Sequence, residues 1–590
     1  MKSILQIALK NALSALYDVN VDEKNLLVEK TKEEYFGDYT IVVFPLLRWS
    51  KKNAEDTARE IITVILKNCN LISSYNIIKG FINISVKDEF WISKLNDMFF
   101  GKKELEKKST IMIEFSSPNT NKPLHLGHIR NNLLGDSISR IKEKAGYNVI
   151  KVNLINDRGI HICKSILAWI KWGNKQTPEQ LGIKGDKFVG NYYVLFNDEY
   201  KKEIESLINS GQTKEEASNN APLMKEARKI LQRWEANDPE IMRIWKMMNE
   251  WVYEGFDITY KNLGISFDKL YYESETYLLG KEIINEGLKN NIFQRDIDNS
   301  VFIDLTAEGL DKKILLRSDG TTVYITQDIG TAIKRIEETN PEKILYVVGD
   351  EQRYHFEVLK KIIGKINPDY ANKIEHISYG MVELPSGKMK SREGTVVDAD
   401  DLITEMTETA KELSATLGKN SDLPIEEQDA INFKIAIAAL KYYILKVDPK
   451  KQMTYNPEES IDFNGNTGPF IQYTNARINS VLRKARASNI NYHNRINITT
   501  SLLEIETKLL SACFDFKEII DIAANKNTPG MVANYIYELA KTYNQFYHDV
   551  NILNEKMKET LSLRLLLSEY VSKILVEGMG LLGIEMPESM

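Results

Sequence analysis

The chain has 590 residues, of which 43% are hydrophobic and 27% are charged, and its formal net charge at pH 7 is −6. At roughly 100–200 residues per domain, this length predicts about three or four domains of ordinary globular composition. The negative charge argues against indiscriminate nucleic-acid binding, although it is compatible with a local basic face. No apolar run approaches the roughly 20 residues that span a bilayer, and the N-terminal segment is too polar for a signal peptide.

The three cysteines lie far apart in the sequence, at Cys69, Cys163 and Cys513. Because they form no CxxC pair, their spacing argues against a cysteine zinc site and against a disulfide framework. Unpaired thiols fit a reducing compartment. We therefore expect a cytoplasmic protein that has neither a membrane segment nor a structural metal.

Residues 1–105 are predicted to form an α+β domain. Helical periodicity fills 1–17 and 54–68, and short strand-like runs occur at 40–44 and 81–86. The side chains of the first helix that are expected to face the core are Ile4, Ile7, Leu13 and Leu16.

The segment 106–419 opens with a strand, a polar loop, a helix from Leu126 to about Ala145 and a second strand that ends near Asp157. This order is a βαβ unit, which implies a parallel sheet. Mostly helical sequence follows over 160–290. Further strand-like runs alternate with helices and lie at 300–305, 322–326, 344–348 and 379–384. We predict a doubly wound, Rossmann-like α/β domain with a helical insertion, followed by an all-α domain over 420–590.

The loop after the first strand, SSPNTNKPLHLGHIRNN (116–132), is the first candidate site. Ligands of open α/β sheets bind at the carboxyl ends of strands, and a helix N-terminus attracts phosphate. His125 and His128 share one face of the first helical turn and can donate hydrogen bonds to an anion. Gly127 permits close approach to the backbone, and Lys122 adds a mobile positive charge. Two histidines in a first turn also occur by chance, so the strand–loop–helix context is what favours a site.

A second charged segment, GMVELPSGKMKSREGTVV (380–397), lies near the end of the α/β domain. Its glycines Gly387 and Gly394 flank the cations and would let the segment move. Taken alone, this segment is best interpreted as a solvated charged turn. Because it follows the first motif in the chain, we favour instead a loop whose cations reach phosphate oxygens.

The two segments resemble the HIGH and KMSKS signatures of class I aminoacyl-tRNA synthetases. The full first string resembles the arginyl-tRNA synthetase family in particular. Lys388 and Met389 match the start of KMSKS, whereas Lys390, Ser391 and Arg392 stand where S-K-S would be. The second lysine is commonly absent in this family, where a lysine upstream of HIGH compensates for it, and Lys122 occupies that position. The resemblance implies that His125, His128, Lys122 and Lys388 are the catalytic residues.

An arginine substrate requires a carboxylate in its pocket, because a guanidinium is planar, always charged and rich in donors. The string RSDGTTVYITQDIG (317–330) resembles the family motif that recognises the arginine side chain. Tyr324 and Asp328 are four apart and share a face if this stretch is helical. Glu273 is a candidate second acid. The resemblance assigns the substrate's amino and carboxylate groups to Ser117, Asn119 and Gln352, with support from Glu114.

The resemblance also implies an ATP site, with Mg²⁺ bound to ATP as the substrate complex. His355 is expected near ATP, and Met381 and Val382 are expected to offer backbone atoms to the adenine. The other candidate ATP-binding residues are Pro118, Leu126, Gly127, Lys390 and Ser391. A neighbouring string, NLINDRGIH (153–161), contains Asp157, Arg158 and His161, for which we expect structural roles first.

The C-terminal string DFNGNTGPFIQYTNARINSVLRKA (462–485) resembles the family's DALR-type anticodon-binding domain. Tyr473 and Arg477 share a helical face, and an aromatic beside an arginine suits the binding of unpaired bases. Core packing of Tyr473 is the alternative. The resemblance places Met590 at the anticodon site, and it places Phe81 and Asn83 of the N-terminal domain at the tRNA elbow.

The resemblance covers nearly the whole chain and implies arginine–tRNA ligase activity. Such an enzyme activates L-arginine with ATP and transfers it to the 3′ end of tRNA(Arg), and the family usually needs tRNA bound before the first step. A monomer is the common form. Two alternatives stay open: another class I synthetase, such as the glutaminyl, glutamyl or cysteinyl enzyme, and a non-catalytic tRNA-binding paralogue. The cysteinyl enzyme would need a metal-binding thiol set, and the intact HxGH and Lys388 segments argue against a paralogue.

Overall fold

The computed structural model describes residues 1–32, 34–100, 108–383, 397–416, 423–497 and 500–588. The predicted domain boundaries at 105/106 and 419/420 lie outside the described residues, so they stay a prediction. The chain divides into two compact units. One comprises Met1–Glu104, Val481–Asp515 and Thr542–Val571, and the other comprises Leu105–Ser480, Phe516–Lys541 and Ser572–Met590.

The N-terminal part of the first unit combines helices with an antiparallel sheet. Its elements are α1 (Lys2–Tyr17), β1 (Val28–Lys30), β2 (Tyr39–Val42), α2 (Leu47–Ser50), α3 (Ala54–Asn68), β3 (Ile72–Ile78), β4 (Phe81–Val86) and α4 (Asp88–Phe100). The described strands pair in the order β1-β2-β4-β3. The predicted helices and the α+β class are confirmed. The α3 helix begins where Asn53 accepts a hydrogen bond from the Asp56 N–H at 2.8 Å, which satisfies one of the free donors of the first turn.

The predicted inward face of α1 is partly wrong. Ile4 and Ile7 are 37% and 46% exposed, whereas Leu5, Leu9 and Leu13 are buried. The buried leucines are four residues apart, so they form one continuous stripe on the helix. Leu13 is the only predicted member that belongs to this stripe.

The α/β part of the second unit is built on strands that alternate with helices. The strands are β5 (Thr110–Glu114), β6 (Asn148–Ile155), β7 (Lys269–Tyr272), β8 (Gln294–Arg295), β9 (Val301–Ile303), β10 (Lys313–Leu316), β11 (Lys343–Gly349), β12 (Ile374–Tyr379), β13 (Val382–Glu383) and β14 (Met453–Thr454). The helices up to residue 416 are α5 (Leu126–Lys144), α6 (Ile160–Trp172), α7 (Pro178–Leu181), α8 (Gly185–Asn209), α9 (Lys214–Asn220), α10 (Pro222–Glu235), α11 (Pro239–Asn262), α12 (Glu273–Thr276), α13 (Leu279–Lys289), α14 (Tyr324–Thr339), α15 (Arg353–Ile366), α16 (Pro368–Lys373) and α17 (Ala399–Thr416).

The main sheet is parallel throughout its described strands, in the order β12-β11-β5-β6-β7. The chain runs from β5 to β6 on one side and later returns to β11 on the other side. The carboxyl ends of β5 and β11 therefore form the topological switch point, where an open α/β sheet binds its ligand. The predicted doubly wound sheet is confirmed, and the 116–125 loop leaves β5 at this point.

Several strand predictions were wrong. The run at 322–326 is not a strand, because α14 begins at Tyr324, and the nearby strand is instead β10. The run at 300–305 contains β9, which belongs with β8 and β10 to a separate antiparallel sheet rather than to the main one. Strand β7 went unnoticed inside the stretch predicted to be helical.

The C-terminal region is helical, as predicted, apart from the short strand β14, which lies inside the range predicted to be all-α. Its helices are α18 (Ile425–Leu445), α19 (Pro457–Ser460), α20 (Gly468–Ala487), α21 (Glu504–Phe514), α22 (Phe516–Lys526), α23 (Gly530–Asp549) and α24 (Lys558–Leu581). Across the part of the chain that the structure describes, no helix has the length and apolarity to cross a bilayer.

Close helix packing fixes the position of α14 on the sheet. Gly280 of α13 faces the backbone of Thr326, and Gly330 of α14 faces the backbone of Leu279 and Gly280, with no room for a β-carbon at either glycine. The apolar side of α14, including Ile329 and Ile333, joins the sheet core. These contacts hold the polar side of α14 toward the switch point.

A glycine in α5 provides a test of packing beside the site. A β-carbon at Gly135 would overlap the ring of Phe115, the residue that follows β5. We expect Gly135→Ala to destabilise the protein by about 1–3 kcal/mol, the usual cost of overpacking a filled core, and to lower its melting temperature. Gly580→Ala is the matched control, because nothing lies within 4 Å of the added carbon. Equal melting temperatures for the two variants would contradict this packing.

Candidate active site

The chain makes a tight turn as it leaves β5. Ser116 and Ser117 both have positive φ angles, 77° and 45°, a conformation that non-glycine residues adopt only when their surroundings enforce it. The N–H of Ser116 donates to Asn131 Oδ1 at 2.5 Å, and the N–H of Ser117 donates to Asn153 Oδ1 at 3.0 Å. Two amide side chains, one from α5 and one from β6, therefore fix the direction of the loop. The hydroxyl of Tyr260 contacts Ser116 Oγ at 2.6 Å and braces the same turn.

The rest of the loop is tied to the end of β6. Asn156 donates from its N–H to the Pro118 carbonyl at 2.9 Å, and its carbonyl accepts from the Thr120 N–H at 3.0 Å. Pro118 is buried and Asn119 is exposed. Of these two predicted ligand-binding residues, Asn119 therefore has the accessible side chain.

The two histidines close the first turn of α5. His125 is the N-cap residue, and its Nδ1 accepts from the Gly127 N–H at 3.1 Å. The Nδ1 of His128 accepts from the His125 N–H at 3.2 Å, and the two ring centroids are 3.9 Å apart. Because both Nδ1 atoms are acceptors, the neutral rings carry their protons on Nε2. Each histidine can thus donate one hydrogen bond, from Nε2, to a ligand.

Burial keeps both imidazoles neutral. Burial, with a smaller contribution from Lys122, lowers the pKa of His125 to about 3. Burial, followed by His125 and Lys122, lowers the pKa of His128 well below its ordinary value. A β-carbon at Gly127 would lie 3.0 Å from His125 Cε1, so glycine leaves room for the capping ring.

A polar cavity of about 270 Å³ lies at the switch point. Its lining residues are Glu114, Leu154, Asn156, Asp328, Thr331, Arg335, Tyr346, Val348, Gln352, His355, Phe356 and Leu359. They come from β5, β6, β11, α14 and α15, together with Asn156 and Gln352 just outside these elements. The structure thus brings together three of the residues predicted for arginine binding, Glu114, Asp328 and Gln352.

Glu114 is already paired with a cation at the base of this cavity. Its Oε2 contacts Arg335 Nη1, and both side chains are buried. The guanidinium of Arg335 also lies over the ring of Tyr271, 4.5 Å from its centroid. Ser117 Oγ donates to the other carboxylate oxygen of Glu114 at 3.3 Å. Arg335 and Ser117 therefore compensate Glu114, which presents little uncompensated charge to a ligand. The Nε and Nη2 atoms of Arg335 are buried without a hydrogen-bond partner among the described residues.

Asp328 is the acid that faces the cavity without a buried guanidinium partner among the described residues. Its Oδ2 lies 2.6 Å from His355 Nε2. His355, predicted to lie near ATP, is thus placed beside Asp328. Tyr324 and Asp328 both lie on α14, so they share a helical face. Tyr324 is, however, 75% exposed and does not line the cavity.

Glu273 lies within electrostatic reach of Asp328. Burial raises the pKa of Glu273 to about 7, Arg158 opposes this rise, and Asp157 and Asp328 add to it. Asp157 accepts hydrogen bonds from the N–H and Oγ of Ser274, at 2.9 and 2.7 Å. It therefore holds the turn that carries Glu273, which is a structural role of the expected kind.

Two of the predicted adenine-binding residues lie at the start of β13. Met381, just before this strand, is 54% exposed, and its carbonyl accepts from the N–H of Met453 at 3.1 Å. Val382, the first residue of β13, is buried. The predicted residues that lie outside the described residues are Lys388, Lys390, Ser391 and Met590.

The predicted tRNA-contacting residues differ in exposure. Tyr473 and Arg477 lie on α20, with the Arg477 guanidinium 5.1 Å from the Tyr473 ring centroid, so the shared face is present. Phe81 is partly exposed. Asn83 is buried and contacts Thr40 Oγ1 at 2.7 Å and Asn76 Oδ1 at 3.0 Å. Of this N-terminal pair, Phe81 therefore offers the accessible surface.

Sequence reasoning missed Arg130, Asn131, Asn153 and Arg335, which hold the site together. A signal was present in α5, since Arg130 and Asn131 fall inside the helix immediately after the HxGH motif. Within the ranges that the structure covers, no group of three His, Cys, Asp or Glu side chains is arranged to hold a metal ion.

Comparisons with known proteins agree over the whole length of the chain. The model for "tRNA synthetases class I (R), catalytic domain" matches residues 93–456, "DALR anticodon binding domain" matches 471–590, and "Arginyl tRNA synthetase N terminal domain" matches 3–86. The chain is 53% identical over 585 residues to the arginine–tRNA ligase of Bacteroides thetaiotaomicron, with 98% of each chain covered. It is 49% identical to that of Flavobacterium psychrophilum over 606 residues, with 100% of each covered.

Solved structures show the same fold. The arginyl-tRNA synthetase of Thermus thermophilus superposes with a TM-score of 0.80 at 23% identity, over 100% of both chains. That of Plasmodium falciparum gives a TM-score of 0.77 at 22% identity, over 100% of this chain and 99% of the other.

The histidine geometry predicts an NMR signature. Of the seven histidines in the chain, His125 and His128 should stay neutral and Nε2-protonated between pH 5 and 8, because burial lowers the pKa of both. Imidazole ¹⁵N shifts of selectively labelled protein measure this, and His125→Asn and His128→Asn assign the signals. Titration of either ring near pH 6.5, or protonation on Nδ1, would contradict the capping geometry.

Proposed function

The chain belongs to the arginyl-tRNA synthetase family, and from that premise we propose how its residues divide the two steps of arginine–tRNA ligation. Its activity is that of an arginine–tRNA ligase, which activates L-arginine with ATP and transfers it to the 3′ end of tRNA(Arg). The observation that carries the residue assignment is the position of Asp328 in the cavity at the switch point. This cavity is also lined by Asn156, which is bonded to the loop that leads into α5.

In the first step, a carboxylate oxygen of arginine attacks the α-phosphorus of ATP. The bond from this phosphorus to the α,β-bridging oxygen breaks, and pyrophosphate leaves with that electron pair. The Nε2–H groups of His125 and His128 donate to phosphate oxygens, while Lys122 and Lys388 balance the charge that accumulates on the leaving group. Positioning and electrostatic stabilisation account for this kind of catalysis. Mg²⁺ enters with ATP as part of the substrate.

In the second step, a terminal ribose hydroxyl of tRNA attacks the carbonyl carbon of arginyl-adenylate, and AMP leaves. Tyr473 and Arg477 on α20, together with Met590, contact the anticodon end of the tRNA, and Phe81 contacts its elbow. The orientation of Arg477 over Tyr473 supports a surface on which an unpaired base stacks beside a phosphate-binding cation. The enzyme works as a cytoplasmic monomer.

Arginine recognition rests on Asp328. One of its oxygens contacts His355, which leaves the other for the substrate guanidinium. Glu273 lies within electrostatic reach, and because burial raises its pKa to about 7 it is only partly ionised at neutral pH. Arg335 neutralises Glu114, so the cavity offers one principal carboxylate to one guanidinium. Ser117, Asn119 and Gln352 hold the amino and carboxylate groups at the end of the cavity nearest α5. Such a pocket rejects uncharged analogues, because they would leave a carboxylate unpaired.

ATP lies along the first turn of α5. Gly127, with Pro118 and Leu126 behind it, gives the nucleotide room, and backbone atoms of Met381 and Val382 bind the adenine. Lys390 and Ser391 add phosphate contacts. The contact between His355 and Asp328 supports a role for His355 in orienting this acid, and its place near ATP stays a prediction. The alternatives of another class I synthetase and a non-catalytic paralogue are set aside, since no observation in the structure favours either.

The proposed activity is tested by ATP–pyrophosphate exchange on purified enzyme with each amino acid in turn, with and without bulk tRNA. We expect exchange with arginine alone, and only when tRNA is present. Exchange with another amino acid would contradict the Asp328 assignment. Exchange with arginine at full rate without tRNA would contradict only the tRNA requirement.

The role of Asp328 predicts a selective defect in arginine binding. Asp328→Asn should raise KM for arginine about 100-fold, the loss expected when charged hydrogen bonds to a guanidinium become neutral ones, and leave KM for ATP nearly unchanged. Glu337→Gln, a charge removal at an exposed position of the same helix, is the matched control and should behave as wild type. A wild-type KM for arginine in Asp328→Asn would show that another acid binds the guanidinium.

A further inference from the structure

Arg130 is buried on α5 and is bonded to backbone carbonyls of two distant segments. It is 1% exposed. Its Nη1 donates to the Met381 carbonyl at 2.9 Å, and its Nη2 donates to the carbonyls of Pro449 and Lys451 at 3.2 and 2.6 Å. We call these three carbonyls and the guanidinium the Arg130 junction. Burying a charge is costly unless its donors find partners. Both terminal nitrogens of Arg130 are bonded, while Nε is buried without a hydrogen-bond partner among the described residues, so the junction is a specific arrangement of the two terminal nitrogens.

The junction fixes the short strand β13, which carries Val382. The Gly380 N–H donates to the Pro449 carbonyl at 2.9 Å, and the Met453 N–H donates to the Met381 carbonyl at 3.1 Å. Strands β13 and β14 then pair in parallel, with Val382 opposite Met453. Two of the carbonyls that bind Arg130, those of Met381 and Pro449, therefore also belong to the hydrogen bonds that join these two segments.

The same helix also holds the chain that returns after residue 396. The Leu126 N–H donates to the Val397 carbonyl at 3.3 Å, and the Ala399 N–H donates to the Leu124 carbonyl at 2.9 Å. Arg130 lies only two residues beyond His128. The start of α5 thus carries the two histidines and contacts two other segments. Arg130 binds the segment that contains β13, and Leu124 and Leu126 bind residues 397–399.

We propose that Arg130 is a positioning residue for ATP, which holds the backbone of Met381 and Val382 at a fixed distance from the Nε2–H groups of His125 and His128. This inference rests on the proposed function, in which the adenine binds at 381–382 and the phosphates bind at the histidines. Arg130 touches neither substrate. It sets the separation between the two ends of the nucleotide site, and a rigid nucleotide site needs that separation constant.

The chemistry of the side chain explains why arginine stands here. A guanidinium is planar and presents its donors in a rigid fork, so one side chain can reach carbonyls on two segments, whereas the compact ammonium of lysine cannot hold the same fork. Burial lowers the pKa of Arg130 to about 10, which leaves it charged at neutral pH.

The test compares three variants in tRNA-supported ATP–pyrophosphate exchange, with active sites counted by burst titration. Arg130→Lys removes the fork. Gly380→Ala disturbs the junction from the other side, since its β-carbon would lie 2.7 Å from Gln452 N. Arg140→Lys makes the same exchange further along α5, where Arg140 donates to Asp136 at 2.6 Å and to the Gly264 carbonyl at 3.1 Å. This variant controls for loss of a helix arginine as such.

Arg130→Lys and Gly380→Ala should each raise KM for ATP about tenfold, as expected for loss of a charged hydrogen bond that acts on binding, with KM for arginine and the active fraction unchanged. Arg140→Lys should leave both KM values unchanged. A lower active fraction with unaltered KM for ATP would show a purely structural role and overturn the proposal. Parallel increases in KM for ATP and KM for arginine would also overturn it, because the effect would not be specific to the nucleotide. If Arg130→Lys does not fold, Gly380→Ala decides. Absence of arginine exchange in the wild type would instead contradict the proposed function.

Discussion

Two hydrogen bonds between imidazole nitrogens and backbone N–H groups close the first turn of α5, and the site is arranged around that turn. Because both Nδ1 atoms are occupied, both rings are held in one tautomer with Nε2–H available. Burial keeps them neutral. Neutral donors do not titrate near physiological pH. In the proposed mechanism the histidines therefore donate to phosphate, and the charge at the site comes from lysines and from the substrates themselves.

A second constraint on the electrostatics of the cavity is a buried guanidinium that belongs to the protein itself. Arg335 pairs with Glu114 and packs on Tyr271. Glu114 is therefore compensated before the substrate arrives. In the proposed assignment, Asp328, in contact with His355, is then the principal acid for the substrate. On that assignment, a cavity lined by two acids, Glu114 and Asp328, would select a single positive charge.

The sequence predicted local features well and long-range ones poorly. The βαβ order and the loop at the end of β5 follow from periodicity and motif spacing, whereas the helix that contains Asp328 was only a condition of the shared-face argument. The run at 322–326 looked like a strand because its β-branched residues suit either structure, and Ile4 and Ile7 were assigned to the core although the stripe of α1 runs through Leu5 and Leu9. Arg130 and Arg335 could not be placed, because their partners are hundreds of residues away or in another element.

The most direct test of the account is a crystal structure with arginyl-sulfamoyl adenosine, a stable analogue of the adenylate. We predict that the guanidinium lies on Asp328, within the cavity at the carboxyl ends of β5 and β11. The sulfamoyl oxygens should lie within hydrogen-bond distance of His125 and His128 Nε2, and the adenine against Met381 and Val382. A guanidinium bound instead to Glu114, with Arg335 displaced, would contradict it.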